Sequence, residues 1–171
     1  MKRFTWAVRF MLLAIALQIS ICSFAQEAKK SHCDSLGIVP DFRFYNLKGE
    51  LFTKDSLKAG KSNTVIIYFK TSCEFCLSEF KLIKHNMGQF PNAQFVLVSR
   101  EDISELKKYD SARQFSYYPQ IHVVSDKESL YRTYYQAYYT PSIHIYDEKM
   151  SLIRFSDGMI SKEELLRLLK E

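Results

Sequence analysis

Thr64-Val65-Ile66-Ile67-Tyr68-Phe69-Lys70 runs through Thr71-Ser72 straight into Cys73-Glu74-Phe75-Cys76-Leu77-Ser78-Glu79-Phe80. The first half is a continuous apolar run rich in β-branched and aromatic residues, which predicts a strand covered on both faces. The second half changes period: Leu77, Phe80, Ile83 and Met87 recur at helical spacing, and Gly88 with Pro91 closes the pattern. Two cysteines three residues apart therefore sit where a buried strand gives way to an amphipathic helix. A cysteine at a helix N-terminus faces free backbone N–H groups and the positive end of the helix dipole, and both favour thiolate over thiol. The second cysteine lies one turn further along the same side, where it can attack a mixed disulfide formed by the first. This makes Cys73 the expected nucleophile and Cys76 the resolving thiol. An inert structural disulfide and half of a zinc site are the competing readings. Zinc usually needs four ligands, and His32, His85, His122 and His144 show no second ligand spacing, so neither a metal nor a cofactor is expected.

Outward from the motif, strands and helices alternate. Residues 94–99 read as a second buried strand, 104–115 as a helix with Leu106, Tyr109 and Phe115 toward the core, 120–124 as a short strand and 129–137 as a helix. Residues 142–146 and 151–155 read as a hairpin. Ser161-Lys162-Glu163-Glu164 is a capping box that opens a last helix carrying Leu165, Leu166, Leu168 and Leu169. Upstream, Phe42, Phe44 and Leu47 precede the Lys48-Gly49-Glu50 turn of a short hairpin, and residues 57–63 read as a loop. Alternation predicts an α/β fold with a parallel core, which the terminal hairpin turns into a mixed sheet flanked by helices. The tyrosines at 131, 134, 135, 138 and 139 read mostly as half core and half amphipathic surface, with Tyr139 held apart as a groove residue.

The N-terminus has a different character. Lys2, Arg3 and Arg9 precede the apolar stretch 10–17, and Ser23-Phe24-Ala25 closes it in a small–large–small pattern. That is the layout of a cleaved signal peptide over residues 1–25, and it predicts a periplasmic protein. Phe10 to Ala25 is 16 residues, with Gln18 and Ser20 among them, and falls short of the roughly 20 apolar residues a membrane span needs, so anchoring is the weaker reading. Lipidation at Cys22 is weaker still, because Ile21 before it is bulky. Residues 26–37 read as a flexible lead-in and 38–171 as one domain. The formal charge of +5 loses the three positive charges of Lys2, Arg3 and Arg9 with the signal and becomes +2. A nearly neutral domain gives no electrostatic footprint for nucleic acid, and none is expected as a partner. Without Cys22, three cysteines remain in a compartment that permits disulfides: one pair, and Cys33 as a free, non-catalytic thiol.

With these residues in place, the chain resembles the thioredoxin-like superfamily and, within it, the exported TlpA-like (ResA-type) thiol–disulfide reductases of bacteria. Three stretches carry the resemblance: Cys73-Glu74-Phe75-Cys76-Leu77-Ser78-Glu79-Phe80, Tyr139-Thr140-Pro141-Ser142 leading into a strand, and the opening Val39-Pro40-Asp41-Phe42. It covers roughly residues 38–170 and implies a thioredoxin-like fold. It further implies a cis bond at Thr140–Pro141, beside which a client backbone adds as a short strand, with Glu74, Phe75, Tyr139, Thr140 and Pro141 in contact with the client. By the same resemblance, Glu79 is the candidate proton handler for the resolving thiol; a solvated helix glutamate is the alternative. Two positions depart from the relatives. Ile67 stands where thioredoxins carry a buried aspartate six residues before the first cysteine, and Ser72 stands where many relatives have tryptophan. The implied activity is reduction or exchange of disulfides in extracytoplasmic client proteins, by a monomer recharged by a membrane-bound thiol reductant. The alternatives are a peroxiredoxin-like thiol peroxidase and a redox-inactive binding module. The first would carry threonine three residues before the reactive cysteine, where this chain has Lys70, with Thr71 one step too close.

Overall fold

The computed structural model describes residues 37–57, 63–135 and 137–169. The expected signal peptide, Cys22, Cys33 and the expected lead-in up to residue 36 lie outside them. Gly37, expected as the last residue of the lead-in, is already tied to the domain. Its carbonyl accepts the Leu152 N–H at 3.0 Å, and Val39 N–H donates to Met150.

Among the described residues seven strands form one sheet: β1 (Arg43–Asn46), β2 (Leu51–Thr53), β3 (Asn63–Tyr68), β4 (Ala93–Ser99), β5 (Ile121–Ser125), β6 (Ser142–Tyr146) and β7 (Leu152–Asp157). Their order is β2-β1-β5-β4-β3-β6-β7. The three central strands β3, β4 and β5 are parallel, β6 and β7 add antiparallel on one side, and the β1–β2 hairpin adds antiparallel to β5 on the other. Every residue of β3 and β4 is buried, as a strand covered on both faces requires. At the β1–β2 turn Gly49 takes φ +87°, which glycine adopts without steric penalty.

Among the described residues four helices flank the sheet: α1 (Glu74–His85), α2 (Ile103–Arg113), α3 (Leu130–Tyr135) and α4 (Lys162–Leu169). Val65, Ile67 and Phe69 of one sheet face pack with Phe80 and Ile83 of α1, Leu106 and Tyr109 of α2, and Leu165 and Leu169 of α4 in a single core cluster. The other face meets α3 through aromatic rings. Tyr131 stacks on Tyr68 and Tyr135, and its hydroxyl lies 2.7 Å from His144 Nδ1. The tyrosine-rich stretch thus divides as expected, with Tyr131 and Tyr135 in the core and Tyr134, Tyr138 and Tyr139 exposed.

Several boundaries differ from the sequence reading. Helix α1 ends at His85, because the Asn86 N–H and its side chain turn back onto the last carbonyls and a single 3-10 turn, Met87–Gln89, follows. Helix α3 ends at Tyr135. Before it, the buried Asp126 accepts the N–H groups of Leu130 and Tyr131 at 2.8 and 2.9 Å, satisfying donors that a helix start leaves open. The capping box at Ser161 forms only its first half: Ser161 Oγ accepts the Glu164 N–H, while the Glu164 carboxylate pairs with Arg154 Nε at 2.7 Å instead of reaching back.

Candidate active site

The register of the sheet assembles the site. Tyr68 pairs with Ser142, and Ser142 with Asp157. The residue before β6, Pro141, therefore stands beside the end of β3, and the residue after β7, Gly158, stands beside Pro141. The chain leaving β3 turns at Lys70–Cys73, closed by the Cys73 N–H on the Lys70 carbonyl, and enters α1 with Cys73 as its N-cap. The site lies at the carboxyl end of a parallel strand, where open α/β sheets present their clefts.

Cys73 and Cys76 form a disulfide with Cα atoms 5.3 Å apart. Their surroundings are unequal. Cys73 is half-buried and Cys76 has no exposed surface. The Cys76 N–H donates to Cys73 Sγ at 3.1 Å, so the first sulfur occupies the position of an N-capping acceptor, with the positive end of the helix behind it. Across the cleft the Thr140 carbonyl oxygen lies 3.5 Å from Cys73 Sγ, and the Thr140–Pro141 peptide is cis. Glu74, Phe75 and Tyr139 rim the motif as exposed side chains, Phe75 and Tyr139 at 69 % and 70 % exposure.

One expectation about the docking edge needs correction. The client strand expected beside Thr140–Pro141 needs free backbone groups on this edge. The Pro141 carbonyl is occupied: it accepts the Gly158 N–H at 2.8 Å, extending the β6–β7 ladder by one rung. The ring itself is buried. The half-buried Thr140, whose carbonyl faces Cys73, is what this edge turns toward the motif.

Glu79 is not a solvated helix residue. It has no exposed surface. The buried positions of α1 are Cys76, Glu79, Phe80 and Ile83, whereas Leu77, expected in the core, is half-buried on the flank. Burial raises the Glu79 carboxyl from its ordinary 4.5 to about 7, and the Ile160 N–H, donating to Oε2 at 3.1 Å, opposes part of that rise. Oε1 is buried and has no hydrogen-bond partner. The carboxyl stands three residues after Cys76 on the same buried helix face, with its proton affinity raised by burial.

A second carboxyl was invisible in the sequence. Glu101, just past β4, accepts the Thr71 N–H at 2.9 Å, the Thr71 hydroxyl at 2.7 Å and the Ser99 hydroxyl at 2.6 Å. It fastens the turn that delivers Cys73 to the end of the neighbouring strand. Only the pairing of β3 with β4 brings these residues together, and no local pattern announces that contact. Among the described residues no group of three or more His, Cys, Asp or Glu side chains could hold a metal ion.

Comparison with known proteins points to the same chemistry. The model of the AhpC/TSA family matches residues 37–155, which is more than half of the chain. Among solved structures, a secreted Mycobacterium tuberculosis disulfide oxidoreductase homologous to E. coli DsbE is 20 % identical. That match covers 80 % of this chain and 97 % of the other, with a TM-score of 0.61. DsbF of Mycobacterium tuberculosis, in mixed oxidised and reduced forms, is 18 % identical over 80 % of this chain and 95 % of its own, with a TM-score of 0.63. The peroxidoxin BcpB of Mycobacterium tuberculosis is 15 % identical over 79 % and 96 %, with a TM-score of 0.67. At these identities the likeness is one of fold. No curated protein matches the chain significantly.

Proposed function

The chain belongs to the AhpC/TSA family, and from that premise we propose that it is an exported thiol–disulfide oxidoreductase that reduces or exchanges disulfides in extracytoplasmic client proteins. The observation that carries the reading is the inequality of the two sulfurs: half-buried Cys73 at the helix N-cap beside Thr140, and fully buried Cys76 beneath it.

In the reducing direction the pair begins as a dithiol. The Cys73 thiolate attacks one sulfur of a client disulfide, forming an S–S bond to the client and expelling the other client sulfur, which takes a proton. Thr140, held in place by Pro141, docks the client backbone next to Cys73, and Phe75, Glu74 and Tyr139 line its path. Cys76 then loses its proton to Glu79 and attacks Cys73 Sγ, breaking the mixed disulfide and releasing the second client thiolate. Two electrons pass to the client and the Cys73–Cys76 disulfide is left. Recharging needs a dithiol donor, which we assign to a membrane-bound thiol reductant. The signal-like segment 1–25 supports the periplasmic placement. No described helix is long and apolar enough to cross a membrane, and we take the protein to act as a monomer.

Family membership also admits a thiol peroxidase, in which Cys73 would attack a peroxide. Two features weigh against it. Lys70 occupies the position three residues before Cys73, and the Thr71 hydroxyl is spent on Glu101. The purified protein should accelerate insulin reduction by dithiothreitol and show no comparable peroxide turnover. Peroxide turnover without insulin reduction would transfer the assignment to the peroxidase. Failure of both would leave a binding module.

A further inference from the structure

Two backbone N–H groups of one short segment reach the two most different parts of the site. The Gly158 N–H is bound to the Pro141 carbonyl at 2.8 Å, and two residues later the Ile160 N–H is bound to Glu79 Oε2 at 3.1 Å. Between them Met159 is 42 % exposed, while the Ile160 side chain is 2 % exposed and anchored in the core cluster. The segment is thus held at one end by the core and at the other by the docking edge.

We propose that Gly158–Ile160 is a positioning element that ties the carboxyl of Glu79 to Pro141 and through it to Thr140, so that the proton on Glu79 and a client docked at Thr140 influence one another. This rests on the roles proposed for Glu79, Thr140 and Pro141 above. An ionised carboxylate is a stronger acceptor than a neutral acid. Loss of the proton therefore tightens the Ile160 N–H bond, and because only Met159 separates the two bonded N–H groups the shift extends to the Gly158 N–H. By linkage the effect is reciprocal: a client bound at Thr140 must alter the proton affinity of Glu79.

The wiring is specific because Glu79 has so few neighbours able to answer a change in charge. On its own helix the titratable group one turn back is Cys76, held here in the disulfide. The segment 158–160 carries no titratable side chain. The first turn of α4 carries Lys162, Glu163 and Glu164, of which Glu164 is paired with Arg154. The core strands β3 and β6 contribute Ile67 and Ile143 to the cluster below. No charged side chain contributes to the shift of the Glu79 carboxyl; burial and the Ile160 N–H do.

The test is a pH titration of the oxidised protein by NMR, following the Glu79 side-chain carboxyl carbon and the backbone amides of Ile160 and Gly158. All three should move with one shared midpoint near 7, and both amides should become flat in Glu79→Gln. Replacing the Ile160 amide by an ester removes the N–H and keeps the side chain. It should raise the Glu79 midpoint by about one pH unit, the size expected for losing a charge-assisted hydrogen bond, and Gly158 should cease to follow. A saturating disulfide-containing peptide that perturbs the Thr140 amide should displace the Glu79 midpoint. The proposal is overturned if Gly158 stays still while Glu79 and Ile160 titrate, if the ester leaves the Glu79 midpoint unmoved, or if the bound peptide does. None of these readouts is redox activity, so loss of insulin reduction would count against the functional reading and not against this coupling.

Discussion

Glu79, on the helix that carries Cys76, and Glu101, bound to the turn that precedes Cys73, are two carboxyl groups built differently. Glu101 is surrounded by donors: a backbone N–H and two hydroxyls, all at 2.6–2.9 Å on their shorter bonds. Glu79 has a single donor, an oxygen without a partner and no exposed surface. A carboxyl bound by several donors from two chain segments acts as a fastener. A carboxyl deprived of both water and donors is brought to the pH at which protons are exchanged. The number of donors around each group, and not its distance along the chain from the cysteines, separates the carboxyl proposed to move protons from the one that holds a loop.

The largest effect should come from removing the proton from this comparison. Glu79→Gln keeps the shape and abolishes the titration, so the rate of client reduction should fall on the order of 100-fold, and the kinetic transition near pH 7 should vanish. Stability should respond with the opposite benefit. In the folded protein the Glu79 carboxyl titrates at about 7 against an ordinary 4.5, so the folded state holds the proton more tightly than the unfolded one. Its contribution is full below the ordinary value and is lost as pH rises through the folded value, a loss on the order of 3 kcal/mol. Denaturant titrations should show wild type weakening across that window and Glu79→Gln flat through it.

Glu101→Ala should act on the other side of the comparison. It strands the Thr71 N–H, the Thr71 hydroxyl and the Ser99 hydroxyl, and stability should drop by about 2 kcal/mol. The reduction rate should fall at every pH without moving the midpoint of the profile. A moved midpoint would mean that Glu101 shares the work of Glu79. Thr71→Val, which keeps the backbone donor and loses the hydroxyl, should reproduce about half of the stability loss.

Gly158→Ala should give the smallest change. The backbone there has φ +130°, and no atom lies within 4 Å of where a Cβ would sit. The penalty is therefore conformational, about 1 kcal/mol, and thermal denaturation should report it. A larger loss would mean that the segment beside Pro141 carries more of the fold than its contacts indicate.

The legible parts of this protein are those in which local sequence and global structure agree. The apolar run of β3, the alternation that follows it and the aromatic positions Phe44, Phe80 and Phe115 are all buried as their periodicity implies. The period misled at α1, where Leu77 was expected inward. The inward stripe runs through Cys76, Glu79, Phe80 and Ile83, and a carboxyl in that stripe breaks the binary pattern at a place where chemistry requires it. Glu101, Thr71, Gly158 and Ile160 gave no signal, because each acts through a contact between strands or loops distant in sequence. The Asp126 cap before α3 was missed for a related reason: its side chain reaches N–H groups four and five residues ahead, outside the usual capping spacing.

The central claim is that the half-exposed sulfur attacks and the buried one resolves. The most direct measurement is mass spectrometry of the adduct formed when Cys76→Ser and Cys73→Ser variants are each mixed, reduced, with a disulfide-bonded peptide. The account predicts that Cys76→Ser accumulates a mixed disulfide through Cys73, whereas Cys73→Ser accumulates little through Cys76. Equal trapping by both variants, or trapping through Cys76 alone, would contradict it.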